Sequence, residues 1–319
     1  MRCFPMGKKQ YPFLVLGLLL FYNSFFNIGY GYSLPKIAQT PLPQELQNLL
    51  KIRKIALDAP IALRIFKEER ILEIWKADRK GLFHYIYSYP ICAVSGKLGP
   101  KYTFADMQAP EGFYTVALSQ LNPYSRYTLA FNVGYPNPYD KQNARDGGAI
   151  MVHGGCKSSG CFAMGDENIL EIYAFVRDAL KGGQKEISLQ IYPFHLDWKN
   201  LHRYKDDPNY SFWVGLKKAE DIFEKTHYPP KVKIVNKSYV FEAVSPKDRI
   251  KPSTKFKQFK GKLSKEDRKK LEAFLKKSVH RGPLICAKDP DAPAQPTIKD
   301  AQEAKELAQE KINALKDAL

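Results

Sequence analysis

The chain has 319 residues, of which 44% are hydrophobic, enough for one good-sized domain with appendages or for two small domains. Its 50 Lys and Arg outnumber 33 Asp and Glu, and the formal net charge of +17 favours an anionic partner. Nucleic acid, acidic lipid head groups and cell-wall polymers all meet that description. The sequence has no paired CxxC and HxxxH zinc spacing and no RNP-like aromatic signature, so we expect no nucleic-acid partner.

The first 33 residues have the composition of an export signal. Basic residues are followed by an apolar run over residues 13–22, the arrangement of a secretory signal. Asn23, Ser24 and Asn27 interrupt the apolar stretch, which therefore falls short of the roughly 20 apolar residues of a spanning helix. We predict a signal peptide or signal anchor over residues 1–33. Because there is no clear A-x-A cleavage site, membrane anchoring by the N-terminus stays open.

Residues 59–243 have the pattern of a mainly β domain, preceded by a polar lead-in segment over 34–58. Apolar runs on both sides of residues 67–70 predict a β-hairpin. Helical spacing of apolar residues predicts a helix over 166–180, with Gly182 as its stop. The other predicted elements are a helix at 45–52, strands at 83–89, 113–116, 127–133, 149–152 and 186–192, a helix at 211–225 and a hairpin at 231–242.

The composition changes after about residue 243. Residues 244–319 are predicted to form a basic, Pro-containing helical extension, with Ser264 as the N-cap of a helix that reaches residue 277. A Pro and Ala linker at 290–296 then leads into a helix at 297–319. This extension is a candidate for binding anionic envelope surfaces or for serving as a tether.

Residues 150–166 carry the pattern that indicates chemistry. An apolar strand leads into His153, a loop rich in Gly and Ser follows, and Cys161 stands just before the predicted helix. The thiolate is the reactive form of cysteine, and its pKa falls beside an imidazole or a helix N-terminus. Backbone N–H groups of Gly160 and Cys161 are candidates for stabilising an oxyanion. The pattern therefore predicts Cys161 as a nucleophile and His153 as its base.

Two other interpretations fit the spacing of these residues. Cys161 fits a buried structural thiol and His153 a core histidine, because Cys is among the most buried residue types. His153, Cys156 and Cys161 also fit three metal ligands, although no fourth nearby ligand completes a structural zinc site. If Cys161 stays a thiol, the three other cysteines that follow the signal allow one disulfide at most, and the sequence does not identify the pair.

The same stretch resembles the L,D-transpeptidase (YkuD) family, in which a His-Gly or His-Ser follows a strand and a later S/T-H-G-C carries the nucleophile. The turn at 109–114 is similar to the T-P-x-G-x-F turn of that domain. The resemblance covers residues 61–241 and is strongest to a divergent enterobacterial branch, which shares the segments at 66–70, 98–101 and 153–164. It implies a β-sandwich of mixed sheets with a helix after the nucleophile.

Two positions and one loop depart from the usual pattern of the family. The usual His two places before the nucleophile is Ser159, and the usual Arg two places after it is Ala163. The loop from His153 to Cys161 is also short. Because that loop and that Arg hold the substrate in typical transpeptidases, these departures weaken a simple cross-linking assignment.

The resemblance implies a reaction without metal or cofactor. His153 deprotonates Cys161, the Gly154 carbonyl fixes the imidazole tautomer, and the sulfur forms a thioester at an amide carbonyl on the L-centre side of diaminopimelate. Resolution by water would release an outer-membrane lipoprotein from diaminopimelate or a terminal D-Ala from a stem peptide. Resolution by an amine would form cross-links or attach the lipoprotein, and a non-catalytic peptidoglycan-binding module is a further alternative. The implied setting is the periplasm or cell envelope of a Gram-negative type of cell.

Residues around the motif are predicted to contact the substrate. Arg and Lys side chains suit a substrate carboxylate, and Arg holds such groups through two parallel hydrogen bonds. The predicted substrate contacts are Lys101, Arg126, Arg145, Tyr135, Ser158 and Ser159, while Tyr124 and Asn132 are candidates either for the groove or for strand packing.

Overall fold

The computed structural model describes residues 34–250 and 264–279. The predicted signal at 1–33, the linker at 290–296 and the helix at 297–319 lie outside these residues. The helices are α1 (Gln44–Ile52), α2 (Pro138–Gln142), α3 (Asp166–Lys181), α4 (Trp198–Arg203), α5 (Tyr210–Thr226) and α6 (Lys265–Val279), with 3₁₀ turns at Lys36–Gln39, Leu118–Gln120 and Pro246–Asp248. The strands are β1 (Ile61–Phe66), β2 (Ile71–Ala77), β3 (Phe83–Pro90), β4 (Ala93–Val94), β5 (Gly112–Ala117), β6 (Leu121–Asn122), β7 (Ala130–Asn132), β8 (Met151–His153), β9 (Phe162–Ala163), β10 (Glu186–Tyr192), β11 (Lys231–Val235) and β12 (Ser238–Glu242).

The strands of the described residues form two five-stranded sheets and one separate hairpin. The larger sheet has the order β3-β2-β1-β10-β5, and the smaller sheet has the order β4-β9-β8-β7-β6. Each sheet contains one parallel pair, β1 with β10 and β8 with β9, and is otherwise antiparallel. The fold is therefore mainly β with α, built from mixed sheets, as the sequence predicted.

The central strand β1 of the larger sheet is buried on both faces because it carries apolar side chains on both. On β1, Ile61, Leu63 and Ile65 enter the main core, which also takes apolar side chains from the smaller sheet, α1 and α3. Phe66, on the opposite face of β1, packs in a second cluster with Trp213 of α5. Successive residues of β1 therefore pack against different layers, and this burial on both faces stabilises β1 in the middle of the sheet.

Helix α3 follows the Cys161 region and ends where the sequence predicted. Gly182 is the C-terminal cap, with φ of −71°, so a left-handed backbone is not the reason for a glycine there. A Cβ atom at Gly182 would stand 2.1 Å from the Asp58 carbonyl oxygen, which only a residue without a side chain can approach. The helix terminus is therefore closely packed against the segment that leads into β1.

The lead-in segment and the start of the extension both pack on this body. The lead-in was expected to be polar, but Leu42, Leu46 and Leu50 are almost fully buried in the main core. Helix α6, predicted with Ser264 as N-cap, contacts α1 and buries Leu271 in the same core. Ser264 Oγ accepts a hydrogen bond from the Asp267 N–H at 3.0 Å, as an N-cap should. Within the ranges that the structure describes, none of the helices combines the length and apolar character of a membrane span.

Candidate active site

Strand register brings Cys161 and His153 to one face of the smaller sheet. β8 and β9 are parallel, with Val152 beside Phe162 and His153 beside Ala163, which places Cys161 next to Met151. Val152 and Phe162 are fully buried in the core, so the alternate residues of both strands face the other way. Cys161 and His153 are therefore diagonal neighbours on the face of the sheet directed away from the core.

The Cys161 sulfur is half-buried and lies among backbone groups of β8. The Met151 N–H donates to Cys161 Sγ at 3.4 Å, and Sγ lies 3.8 Å from the Ala149 carbonyl oxygen. Cys161 is the free cysteine of the described residues. Burial raises the pKa of its thiol above the ordinary value, although the Met151 N–H and the positive charge of Lys101 act in the opposite direction. The expectation of a lowered pKa at Cys161 is therefore wrong, because the desolvation of the sulfur outweighs its polar contacts.

The His153 ring is 4% exposed and is held from two sides. Its Nδ1 lies 2.5 Å from the Gly154 carbonyl oxygen, the contact that the family resemblance implied. The Tyr127 ring packs against it with centroids 4.7 Å apart. Burial lowers the pKa of His153, and the Gly154 carbonyl only partly offsets that effect. A neutral imidazole with Nδ1–H directed at Gly154 leaves Nε2 as a proton acceptor.

A disulfide joins Cys156, in the loop between His153 and Cys161, to Cys92 just before β4. Cys156 is therefore not a metal ligand, and the three-ligand interpretation of His153, Cys156 and Cys161 is wrong. Among the residues that the structure describes, no group of three or more His, Cys, Asp or Glu side chains is arranged to hold a metal ion. With Cys92 and Cys156 joined to each other, Cys161 keeps a free thiol.

The loop before Cys161 is held by a side chain that the sequence analysis did not single out, Ser95. The Gly160 N–H donates a short hydrogen bond to Ser95 Oγ, and Ser158 Oγ lies 3.0 Å from the same oxygen. Ser158 Oγ also donates to the Cys161 carbonyl oxygen at 2.7 Å. Ser158 is thus engaged by the protein rather than open to a substrate. The Gly160 N–H, an expected oxyanion donor, is likewise already bonded to Ser95 Oγ.

Two predicted substrate residues, Lys101 and Tyr135, lie close to each other. The positive charge of Lys101 opposes the larger effect of burial, which raises the pKa of Cys161. The Lys101 ammonium group pairs with Asp106 and lies 5.7 Å from the centre of the Tyr135 ring. Tyr135 is 4% exposed, and its hydroxyl oxygen lies 3.0 Å from the Asp146 carbonyl oxygen and 3.2 Å from that of Lys101, with one proton shared between them. Tyr135 therefore supports the Lys101 loop from within.

The other predicted contacts are distributed between structural and exposed positions. Arg145 pairs with Asp140 at 3.1 Å and packs over the rings of Tyr102, Tyr139 and Phe212, so its guanidinium is engaged within the protein, and its contact with a substrate stays a prediction. Asn132 Oδ1 accepts from the Gly134 N–H at 2.7 Å and holds its own turn. Arg126, Ser159 and Tyr124 are exposed.

Tyr127, Ser95 and the pairing of Cys92 with Cys156 were not found from the sequence. Tyr127 was assigned to a strand, yet it precedes β7 and covers His153. Ser95 follows a two-residue strand and carries no spacing signal. The signal that could have found the pairing is the position of Cys156 inside the loop from His153 to Cys161.

Fold and site together define a mixed-sheet β-sandwich with a free cysteine and a buried histidine on adjacent strands. The sequence profile of the YkuD L,D-transpeptidase catalytic domain matches residues 61–234. A relative from Escherichia coli K12, named "Putative L,D-transpeptidase YafK", is 41% identical over 201 residues, which cover 63% of this chain and 79% of the relative. The chain therefore belongs to the L,D-transpeptidase (YkuD) family.

Two solved structures are also similar to this chain. The helical cell shape determining protein Pgp2 of Campylobacter jejuni is 21% identical, over 60% of this chain and 81% of Pgp2, with a TM-score of 0.36. Bd1075 of Bdellovibrio bacteriovorus is 19% identical, over 59% of this chain and 80% of that protein, with a TM-score of 0.32.

Proposed function

We propose that the protein is an exported, peptidoglycan-active cysteine enzyme that hydrolyses an amide bond of diaminopimelate-containing stem peptides. The observation that carries the proposal is the free Cys161 thiol on the same sheet face as His153, whose Nδ1 faces the Gly154 carbonyl. Membership of the L,D-transpeptidase family supports the substrate class. The Cys92–Cys156 disulfide supports an oxidising compartment outside the cytoplasm, in line with the predicted signal.

In this proposal His153 acts first as a general base and then as a general acid. Nε2 takes the proton of the Cys161 thiol as the sulfur attacks the amide carbonyl, and the carbonyl oxygen becomes an oxyanion. The C–N bond then breaks, His153 returns the proton to the leaving amine, and a thioester remains on Cys161. A water molecule gives a proton to His153 and attacks the thioester, which frees the carboxylic acid and restores the thiol.

Ala163, at the position where the family usually has Arg, favours hydrolysis over cross-linking. Ala163 is fully buried beside His153 in β9, so that position offers no charged group to a second substrate. The cation that acts on the sulfur is Lys101, from a different loop. Because Lys101 is buried and pairs with Asp106, we propose that it acts on the sulfur through its charge and not as a ligand of a substrate carboxylate. Transfer to an amine, which would form cross-links or attach a lipoprotein, remains the competing outcome.

Digestion of purified sacculi tests the proposal. The wild type, Cys161→Ser and His153→Gln are incubated with sacculi that carry bound lipoprotein, and mass spectrometry scores released lipoprotein, lost D-Ala and new cross-links separately. We expect release or trimming by the wild type and a loss of at least about 10³-fold in both variants, because residues that act as one unit each remove most of the rate. New cross-links as the main product would support transpeptidation instead.

A binding-only role predicts a different result in the same experiment. The wild type would then give no product, and Cys161→Ser would be retained on sacculi as well as the wild type. Ser238→Ala, an exposed serine on the β12 hairpin, serves as the control for surface substitution. It should match the wild type in both product formation and retention.

A further inference from the structure

The hydroxyl groups of Ser95 and Ser158 form a hydrogen-bonded chain that links the Gly160 N–H to the Cys161 carbonyl. Ser158 has a single hydroxyl proton, which it donates to the Cys161 carbonyl oxygen at 2.7 Å. The contact of 3.0 Å between the two serine oxygens must then use the proton of Ser95. Ser95 in turn accepts the Gly160 N–H. The hydrogen bonds therefore run in one direction, from Gly160 N–H through Ser95 and Ser158 to the Cys161 carbonyl.

This chain restrains the orientation of one particular donor. The Gly160 N–H belongs to the peptide unit before the Gly160–Cys161 bond, and the Cys161 carbonyl belongs to the unit after it. With both outer units held, the Gly160–Cys161 unit has a defined orientation, and so has the Cys161 N–H that it carries. Gly160 has a φ of 108°, and a Cβ atom added there would lie 3.3 Å from the Gln108 carbonyl oxygen, so this turn is tightly packed.

Ser95 is itself anchored independently of the turn that it holds. It follows β4, which pairs with β9 through Val94 and Phe162, and its own carbonyl accepts the Ala109 N–H at 3.1 Å. Three residues earlier, Cys92 donates its N–H to the Ala163 carbonyl and forms the disulfide with Cys156. The segment 92–95 thus contacts the loop before Cys161 at both of its ends.

We propose that Ser95 is a positioning residue, which acts through Ser158 and Gly160 to aim the Cys161 N–H at the oxyanion and to hold the sulfur in line for attack. The inference rests on the proposed function for its effect on turnover, but not for its effect on the loop. It also assigns a different task to the Gly160 N–H, which binds Ser95 instead of the substrate oxygen.

Ser95→Ala tests the role, with Ser95→Thr as the conservative variant and Ser238→Ala as the control. Loss of the Ser95 hydroxyl should speed hydrogen exchange of the Gly160 and Cys161 amides, while exchange in β10 is unchanged. The kcat should fall about 10²-fold, the usual cost of misplacing reacting groups by about 1 Å, with KM within about twofold. Ser95→Thr keeps a hydroxyl and should restore both exchange and kcat.

Each outcome decides for or against the positioning role. Unchanged exchange in Ser95→Ala overturns the hydroxyl chain, and faster exchange with unchanged kcat overturns its role in the reaction. If the wild type cleaves no stem peptide, the proposed function fails by itself. The positioning role is then judged from the pH profile of Cys161 alkylation by iodoacetamide, read by peptide mass spectrometry. That profile must move in Ser95→Ala and return in Ser95→Thr, and superimposed profiles overturn the inference.

Discussion

At the scale of single residues, burial decides the protonation states of Cys161 and His153. Desolvation disfavours the charged form of each group, so the pKa of the thiol is raised and the pKa of the imidazole is lowered. Both shifts favour a neutral thiol beside a neutral imidazole in the resting protein. A preformed thiolate–imidazolium pair would need the opposite shifts. The proton is therefore expected to move to His153 during attack rather than before it.

These two shifts predict the pH dependence of the site. Because the pKa of His153 is lowered, kcat/KM should keep its plateau to a pH below the ordinary imidazole value of about 6.5 and fall only beneath it. Because the pKa of Cys161 is raised, iodoacetamide should label it appreciably only above the ordinary thiol value of about 8.5. Lys101→Met should move the labelling profile to still higher pH, since it removes a charge that favours the thiolate. Efficient labelling well below pH 7 would contradict the neutral pair.

The buried ion pair of Lys67 and Glu111 predicts a large loss of stability when its cation is removed. Lys67 Nζ lies 3.0 Å from Glu111, and both side chains are almost wholly buried. Lys67→Met would leave the carboxylate without its cation, and we expect the free energy of unfolding to fall by about 3–5 kcal/mol. Urea denaturation measures the loss. In the control Lys233→Met, the broken pair with Glu242 is exposed, so a change of at most about 1 kcal/mol is expected.

At the scale of elements, the short strands of the smaller sheet depend on cross-links for their placement. β4 and β9 contain two residues each, so their ladder offers few hydrogen bonds. The disulfide between Cys92 and Cys156 and the hydrogen bonds of Ser95 supply further links between these segments. This explains how a loop of seven residues between His153 and Cys161 keeps a defined shape.

The disulfide predicts a measurable change under reducing conditions. It joins residues separated by 64 positions, and a loop of that length corresponds to about 4 kcal/mol of stability from the restricted unfolded chain. Replacing Cys92 and Cys156 together by Ser should lower the free energy of unfolding by that amount, with a lower urea midpoint, and reduced wild type should lose about as much. The double variant should itself be insensitive to reductant. A wild-type midpoint that reductant leaves unchanged would show that the bridge contributes nothing.

At the scale of the whole molecule, residues from both ends of the described chain close one core. Leu46 and Leu50 of α1 and Leu271 of α6 are buried together, and the Phe274 ring stacks on Tyr87 of β3 with centroids 5.5 Å apart. The start of the C-terminal extension is therefore part of the folded body. The proposed roles in binding anionic surfaces or in tethering concern the segments beyond it.

The packing of α6 predicts a local loss of protection. Leu271→Ala removes a fully buried side chain, and we expect the free energy of unfolding to fall by about 2–4 kcal/mol. The loss cannot exceed the free energy needed to detach α6 from the core. Hydrogen exchange should become faster in α1 and α6 while the β1 and β10 core keeps its protection. Lys269→Ala, an exposed position of the same helix, should change neither. Equal exchange in Leu271→Ala and wild type would contradict the packing.

The sequence by itself determined the longer strands and helices and singled out the candidate reactive pair. Alternation along β1 and β10, helical spacing in α3 and α5, and the stop at Gly182 depend on neighbours within a few residues, and local patterns record them. His153 and Cys161 stood out because Gly-rich loops and strand ends are local features, and the family resemblance added their roles.

Only the tertiary structure decided the partners and the protonation of these groups. Cys156 forms a disulfide with Cys92, 64 positions away, and Arg145 forms an ion pair with Asp140. The Gly160 N–H donates a hydrogen bond to Ser95. The pKa directions of Cys161 and His153 follow from burial by distant strands and loops. Desolvation and hydrogen bonding are sums over all groups that surround an atom, and spacing along the chain does not record which groups those are.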